Sequence, residues 1–294
     1  MKQEGALILV YDVGGSHIGA ALARVGEAEL LAETTRLLDS EAPAEIILEL
    51  FASSAHELLQ KQGLSPAQIA GAAIGMPNPF DYEQGISYMR HKYTQLFGVN
   101  LRLALAQKLS VAPESVHFVN DASAYLLGEI AYGAAQGYSR VVGLTLGTGI
   151  GSAFAVDGEI VTEGLGVPEG GFLWDQPLDG GIVEDLISTR AIQKVYVSFT
   201  GTTLSVREIA KRVVYDAAAR ATWRQFGGTL ASVLQRTCTE FEPQAIVLGG
   251  AIAKSSQLFL PAASQQMPGV KILASTLFDK ASLLGAGVAW AAAR

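Results

Sequence analysis

Two segments of this chain repeat one device. The first runs Ile8-Leu9-Val10-Tyr11-Asp12-Val13-Gly14-Gly15-Ser16-His17-Ile18-Gly19-Ala20-Ala21-Leu22, and the second runs Val141-Val142-Gly143-Leu144-Thr145-Leu146-Gly147-Thr148-Gly149-Ile150-Gly151-Ser152-Ala153-Phe154. Each is an apolar strand, a tight glycine-rich turn carrying a hydroxyl residue, and a second apolar strand. Glycine permits positive φ and lets a ligand come close to the backbone. Successive N–H groups in such a turn form a concavity that binds anions. Two of them, roughly 130 residues apart, predict two related lobes closing on a phosphate chain. Two β-hairpins that use glycine only to turn are the plainer alternative, and the repetition argues against it.

The turns differ in one respect: Asp12 precedes the first, whereas Thr145 holds the similar place before the second. A carboxylate beside phosphate-binding amides repels the anion unless a cation lies between them. Mg²⁺ is commonly held by one or two carboxylates, water and substrate phosphates, so Asp12 is expected to hold Mg²⁺ through water. Gly14, Gly15 and Ser16 in one turn, and Gly147, Thr148 and Gly149 in the other, offer amides and hydroxyls to the phosphates.

Composition narrows the partners. A chain of 294 residues is long enough for two domains with separate cores. Hydrophobic residues make up 49% and charged ones 17%, a balance that favours compact folding. A formal net charge of −7 argues against duplex nucleic acid as the main partner. No apolar run reaches membrane-spanning length. Met1-Lys2-Gln3-Glu4-Gly5 leads straight into a strand, so neither a signal peptide nor an N-terminal helix-turn-helix is expected. Cys238 is the single cysteine, which excludes an internal disulfide and a cysteine-rich metal site. A cytoplasmic protein is the expectation.

Residues 6–12 and 18–25 read as strands. Ala42 to Gln62 has helical spacing, with Ile46, Ile47, Leu50, Phe51, Leu58 and Leu59 on the apolar face. Ser65-Pro66-Ala67-Gln68 resembles a helix start, followed by a buried strand over 69–75 and a proline-fixed loop, Met76-Pro77-Asn78-Pro79-Phe80-Asp81. A helix is predicted over 101–109, a strand over 116–119, and a helix over 122–132. Residues 164–181 form a long irregular stretch carrying Glu169, Asp175 and Asp179, the kind of segment that usually has a function. Ser205-Val206-Arg207-Glu208 is a capping box opening helical sequence to Glu240, with a break expected at Gly227-Gly228. Ala245-Ile246-Val247-Leu248 is a buried strand, and 281–294 a small-residue helix. Alternation of this kind gives an α/β fold.

Asn120-Asp121 stands at the carboxyl end of a strand, where ligands bind in open α/β sheets. There Asp121 is placed to accept a proton from a substrate hydroxyl in phosphoryl transfer, and Asn120 to hold adjacent hydroxyls. The pair is equally a helix N-cap, and both readings stand. Gly249-Gly250-Ala251 follows a buried strand and suits close packing of a nucleotide base or ribose. Glu169 and Glu184 are candidate hydroxyl-binding carboxylates, with simple solvation as the alternative. The four histidines show no metal spacing. Of them, His91 follows a turn and is the one that could face substrate.

Together these residues resemble the ROK family of sugar kinases, in the hexokinase–actin-like ATPase superfamily, over nearly the whole chain. Asp12-Val13-Gly14-Gly15-Ser16 and Leu146-Gly147-Thr148-Gly149-Ile150-Gly151 are similar to its two phosphate motifs, and Gly75-Met76-Pro77-Asn78-Pro79-Phe80-Asp81 to its proline loop. Asn120-Asp121-Ala122 matches the motif whose aspartate is the family's base. Leu248-Gly249-Gly250-Ala251 resembles its adenosine motif and Leu283-Leu284-Gly285-Ala286 its final helix. The resemblance implies a two-lobed actin-like ATPase (ribonuclease H-like) fold with duplicated βββαβα-type domains. It places residues 1–119 plus about 276–294 in a small lobe, about 120–275 in a larger one, and a cleft between them. It further implies ATP- and Mg²⁺-dependent phosphorylation of a hexose hydroxyl with Asp121 as base, lobe closure on the sugar, and a homodimer.

The chain departs from the family on the sugar side. Glu169-Gly170-Gly171-Phe172 keeps the glutamate of Glu-x-Gly-His but has phenylalanine for histidine, and the cysteine-rich zinc loop is replaced by Asp175, Pro177 and Ile182. Zinc is therefore not expected, and Trp174, Phe172 and Leu178 are the candidates to hold the loop by packing. Glu184-Asp185-Leu186-Ile187-Ser188 preserves the motif's end. Arg90-His91-Lys92-Tyr93 occupies the neighbourhood where the family has an asparagine. A glucokinase-like activity leads, with an N-acetylhexosamine kinase or a catalytically silent sugar-binding regulator as alternatives. Polyphosphate as donor finds little support in 21 basic residues without a run.

Overall fold

In a computed structural model describing residues 4–294, the chain divides into two units of equal length. One is Met1–Ala131 with Asp279–Arg294, and the other is Tyr132–Phe278.

The first unit opens with the strands β1 (Leu7–Val13), β2 (His17–Arg24) and β3 (Leu30–Leu37), then α1 (Ala44–Gln62) and β4 (Gly71–Met76). A two-residue hairpin, β5 (Phe80–Asp81) and β6 (Ile86–Ser87), leads to α2 (Leu101–Leu109), β7 (Val116–Asn120) and α3 (Asp121–Tyr132). The sheet order is β3-β2-β1-β4-β7. β1 pairs antiparallel with β2 and parallel with β4, and β4 pairs parallel with β7. α1 buries Ile47, Leu48, Phe51, Leu58 and Leu59 and ends at Gly63, whose φ of 64° supplies the left-handed cap. Ile46, expected on that face, is 54% exposed. The Tyr11 hydroxyl donates to the Phe51 carbonyl at 3.1 Å and ties α1 to the sheet.

The second unit repeats this plan. It contains β8 (Arg140–Leu146), β9 (Ile150–Val156) and β10 (Glu159–Val161), then a small hairpin of β11 (Pro177–Leu178) with β12 (Gly181–Ile182). The helices α4 (Val183–Ile187), α5 (Thr189–Thr200), α6 (Val206–Arg212) and α7 (Ala217–Cys238) follow, then β13 (Ala245–Gly249), α8 (Gly250–Ala253), α9 (Leu260–Gln266) and β14 (Lys271–Ala274). Its sheet order, β10-β9-β8-β13-β14, has the same sequence of antiparallel and parallel pairings as the first. The expected break at Gly227-Gly228 is absent: α7 runs through it, and the interruption falls between α6 and α7. There Asp216 caps α7 by accepting from the Ala218 and Ala219 amides, and the Tyr196 hydroxyl donates to its other oxygen at 2.7 Å. Gly227 serves packing instead, since a Cβ there would lie 2.4 Å from the Phe259 carbonyl oxygen.

The last helix, α10 (Asp279–Ala292), belongs to the first unit. It crosses α3 at two reciprocal glycines. A Cβ at Gly128 would lie 2.0 Å from the Ala281 oxygen, and one at Gly285 would lie 1.7 Å from the Ala124 oxygen. This backbone-to-backbone crossing keeps α3, with Asn120 and Asp121 at its start, in the first unit, whereas the sequence-based division after residue 119 put them in the second. The Trp290 indole N–H donates to the Ser115 carbonyl at 2.9 Å and anchors the helix's other end.

Gly285→Ala is therefore expected to destabilise the protein by about 1–3 kcal/mol through overpacking. Gly287→Ala on the same helix should instead stabilise it by about 0.5–1 kcal/mol, because its Cβ would meet the Ile8 side chain at an ordinary 3.7 Å. Urea unfolding of the two variants checks the pair. Equal midpoints would show that the crossing is not tight.

Candidate active site

Parallel pairing brings three strand ends of the first unit side by side. Asp12 of β1 pairs with Gly75 of β4, and Met76 of β4 with Asn120 of β7. A Cβ at Gly75 would lie 3.6 Å from Asp12 Oδ1. Burial, then the negative charges of Asp121 and Asp279, push the Asp12 carboxyl up to about 7. Burial also raises Asp121, opposed chiefly by the Lys92 ammonium and then by hydrogen bonds from the backbone and from Asn120. Tyr93, buried and facing Asp12 and Asp121, has its hydroxyl pushed up to about 12.

The choice between base and cap at Asn120-Asp121 is divided between the two residues. Asn120 Oδ1 accepts from the Ser123 amide at 3.1 Å, which is the cap of α3. Its amide nitrogen donates to Asp121 Oδ1 at 3.1 Å and to the Tyr82 hydroxyl oxygen at 3.3 Å. The Tyr82 oxygen lies 2.9 Å from the Met76 carbonyl and 2.8 Å from Asn78 Oδ1. Asn120 is thus a structural keystone as well as a candidate sugar ligand. Asp121 Oδ1 also accepts from the Ala122 amide at 2.9 Å, while Oδ2 has no hydrogen-bond partner among the described residues.

In the first glycine turn, the Gly14 amide donates to the His17 carbonyl at 3.0 Å, and the Tyr93 hydroxyl donates to the Gly14 carbonyl. The amides of Gly15 and Ser16 have no partner among the described residues. Neither Gly14 nor Gly15 has positive φ, contrary to one reason glycine was expected there, and a Cβ at Gly15 would meet open space. The fold itself does not require glycine at 15; an approaching ligand would. His91 is exposed, whereas its neighbour Lys92 is half-buried and acts on Asp121.

The second turn has the same logic with different braces. Thr145 Oγ1 accepts from the Gly151 amide at 3.1 Å, and the Gly147 amide donates to the Gly149 carbonyl at 3.0 Å. The Gly147 carbonyl accepts from both the Thr189 amide and its hydroxyl, each at 2.9 Å. The Thr148 and Gly149 amides are without partners among the described residues. Gly249 pairs with Thr145 across the sheet, so the Gly249-Gly250-Ala251 corner adjoins this turn. Gly250, at φ 79°, is obligatory: its Cβ would lie 2.4 Å from the Leu146 oxygen. Ala251 is exposed.

The two candidate glutamates have separate surroundings. Glu184 Oε2 accepts from the Ile150 amide at 3.2 Å, and Oε1 lies 3.0 Å from Arg190 Nη2. Glu169 is exposed in a one-turn 3₁₀ segment. Its loop is held by the buried Ser152 hydroxyl, which donates to the Gly171 carbonyl at 2.7 Å and accepts from the Leu173 amide at 2.8 Å. Leu173 is the buried anchor, at 1% exposure, while Trp174, expected in that role, is 44% exposed. Phe172 covers Gly170, and Leu178 packs on the core.

No group of three or more His, Cys, Asp or Glu side chains placed to hold a metal occurs among the described residues. Asp12 nevertheless suits a hard divalent cation. It is a half-buried carboxyl on which two further acids act, so a cation completed by water and ligand phosphates would relieve uncompensated charge. Without a cation, the folded state holds a proton on Asp12 that the unfolded chain, with an ordinary pKa of about 3.9, releases. Stability from this group is therefore lost as pH rises from about 4 to about 7. Asp12→Asn should raise the melting temperature of the ligand-free protein by clearly more at pH 8 than at pH 5, as scanning calorimetry would read. An equal shift at both pH values would contradict the account.

The ROK family model matches residues 9–293. The glucokinase of Thermotoga maritima is 25% identical over 94% of this chain and 94% of its own length. The xylose repressor of Bacillus subtilis is 23% identical over 85% of this chain, which spans 65% of the repressor. The ROK family glucokinase of Streptomyces griseus, solved with glucose and AMPPNP, superposes with a TM-score of 0.77 at 21% identity over 96% of this chain and 98% of its own. Among the described residues, no helix is long and apolar enough to cross a membrane. With the fold of two like α/β units and a family match spanning both of them, the chain belongs to the ROK family.

Proposed function

We propose that this protein is a carbohydrate kinase that transfers the terminal phosphoryl group of ATP to a hexose hydroxyl, with glucose or a close relative as acceptor. The observation that carries the reading is the division of labour at the start of α3. Asn120 caps the helix, which leaves the half-buried Asp121 one oxygen free to accept a proton at the carboxyl ends of three parallel strands. A carboxylate held only by backbone and amide donors is committed to no other structural task.

In the proposed reaction, the sugar hydroxyl oxygen forms a bond to the terminal phosphorus as the bond from that phosphorus to its bridging oxygen breaks. The hydroxyl proton passes to Asp121. Lys92 opposes the burial that raises the Asp121 carboxyl. The free amides of Gly15 and Ser16, and of Thr148 and Gly149, bind phosphate oxygens. The corner at Gly249 to Ala251 receives the adenosine, and Glu169 and Asn120 bind sugar hydroxyls. Asp12 would hold Mg²⁺, which would supply charge neutralisation to the phosphates.

The relationship to a xylose repressor favours a second reading, a sugar-binding regulator without turnover. A coupled ADP-release assay with Mg·ATP against hexoses and N-acetylhexosamines separates the two. Sugar-dependent ADP production is expected, and the acceptor giving it names the sugar. Calorimetric sugar binding with no turnover would establish the regulator instead. Asp121→Asn should lower kcat at least about a thousandfold, within the range of general-base and positioning effects, while sugar affinity changes only a few-fold. Retention of most of the turnover would remove Asp121 from the base's role.

A further inference from the structure

Two amide side chains converge on one phenol oxygen. The Tyr82 hydroxyl oxygen lies 2.8 Å from Asn78 Oδ1, 3.3 Å from Asn120 Nδ2 and 2.9 Å from the Met76 carbonyl. Asn120 in turn donates to Asp121 Oδ1 at 3.1 Å. Asn78 is thus joined to the candidate base by an unbroken chain of hydrogen bonds, all of it within the first unit. The phenol is held firmly. Its ring packs on Phe80 with centroids 5.2 Å apart. The Arg102 guanidinium donates to the carbonyls of Tyr82 at 3.2 Å, of Glu83 at 2.8 Å and of Val116. Asn78 itself stands between Pro77 and Pro79, whose rings fix φ on either side of it.

A phenol has one proton to give. The Met76 carbonyl can only accept, and Asn120 is fixed as a donor toward Tyr82 because its Oδ1 takes the Ser123 amide. The Tyr82 proton therefore goes either to Met76 or to Asn78. In the first case the Asn78 amide turns its NH₂ to the phenol oxygen and presents its carbonyl oxygen. In the second it presents the NH₂. Either way one end of the amide is engaged, and the other has no hydrogen-bond partner among the described residues. Asn78 is half-buried, so a ligand that covers the free end must also satisfy it. A sugar hydroxyl both donates and accepts, and it matches either arrangement.

We propose that Asn78 is a specificity-determining residue for the acceptor, binding a hexose hydroxyl other than the reacting one, and that Tyr82 is the positioning residue that sets its amide in register with Asn120. The inference rests on the kinase reading for its ligand, a hexose. Two amides that touch the same oxygen are no further apart than two hydroxyls of one pyranose ring. A hexose held by Asn120, with its reacting hydroxyl at Asp121, therefore brings another hydroxyl to Asn78. A hexose lacking that hydroxyl covers the amide and leaves it unpaired, which penalises the analogue against the full substrate.

The test is calorimetric titration of D-glucose and its 2-, 3-, 4- and 6-deoxy analogues, without nucleotide, into the wild type, Asn78→Ala, Tyr82→Phe and the double variant. Asn78→Ala should weaken glucose by about three- to tenfold, the size of one uncharged hydrogen bond. With one deoxy analogue, the one lacking the hydroxyl that Asn78 holds, Asn78→Ala should bind as the wild type does. With the other three it should remain weaker by the same factor as for glucose. Tyr82→Phe should also weaken glucose, and Asn78→Ala should cost less in that background than alone, because the amide has already lost its brace. A residue that only supports the loop would weaken glucose and all four analogues alike, and that result would overturn the inference. So would unchanged glucose affinity in Asn78→Ala. Either result, with glucose bound by the wild type, leaves the hexose reading standing. A wild type that binds no glucose would remove that reading and this inference together.

Discussion

Parallel strand register is the constraint on which the rest of the structure depends. Because β1, β4 and β7 run the same way, with Asp12 opposite Gly75 and Met76 opposite Asn120, three chain segments distant in sequence end at one edge. A one-residue slip would turn every side chain to the other face of the sheet and would take Asp12 away from that edge. The same register in the second unit sets Gly249 beside Thr145. Each sheet therefore delivers a glycine turn and a strand–helix corner together. The reciprocal Gly128 and Gly285 crossing then holds α3, and with it Asp121, to the sheet that carries Asp12.

Duplication of the fold did not duplicate the chemistry. At equivalent places before the glycine turns, one unit has a half-buried carboxyl and the other a threonine that bonds across its own turn to Gly151. Asp12 is left in a field of two further acids, a costly arrangement in a low-dielectric setting unless a cation or proton relieves it. Thr145 is already satisfied. The first unit thus concentrates negative charge suited to a cation and a proton acceptor. The second presents neutral amides.

Much of this organisation was legible in the residues. The paired hairpins, α2, β7 and the C-terminal helix all follow from apolar runs bounded by glycine or capping residues. β3 was missed because Leu30–Leu37 is an edge strand whose Glu and Thr side chains alternate outward, weakening the apolar signal. The false break in α7 came from reading Gly227-Gly228 as local punctuation, when Gly227 answers to the Phe259 backbone. At the site, the motif residues were found but their couplings were not. Nothing in Asn120-Asp121 tells which residue caps, and nothing local tells that Lys92 rather than His91 is half-buried. Glu184 read as a sugar ligand by position, and its bond to Ile150 depends on tertiary packing.

The central proposal is that the unpartnered amides of each glycine turn bind phosphate oxygens. Amide-resolved NMR of the isotopically labelled protein, titrated with Mg·AMP-PNP and separately with adenosine, tests it most directly. The account predicts large shifts at Gly15, Ser16, Thr148 and Gly149 with the triphosphate analogue, and near-silence at those four amides with adenosine. Shifts of equal size with both ligands, or none at either turn, would contradict it.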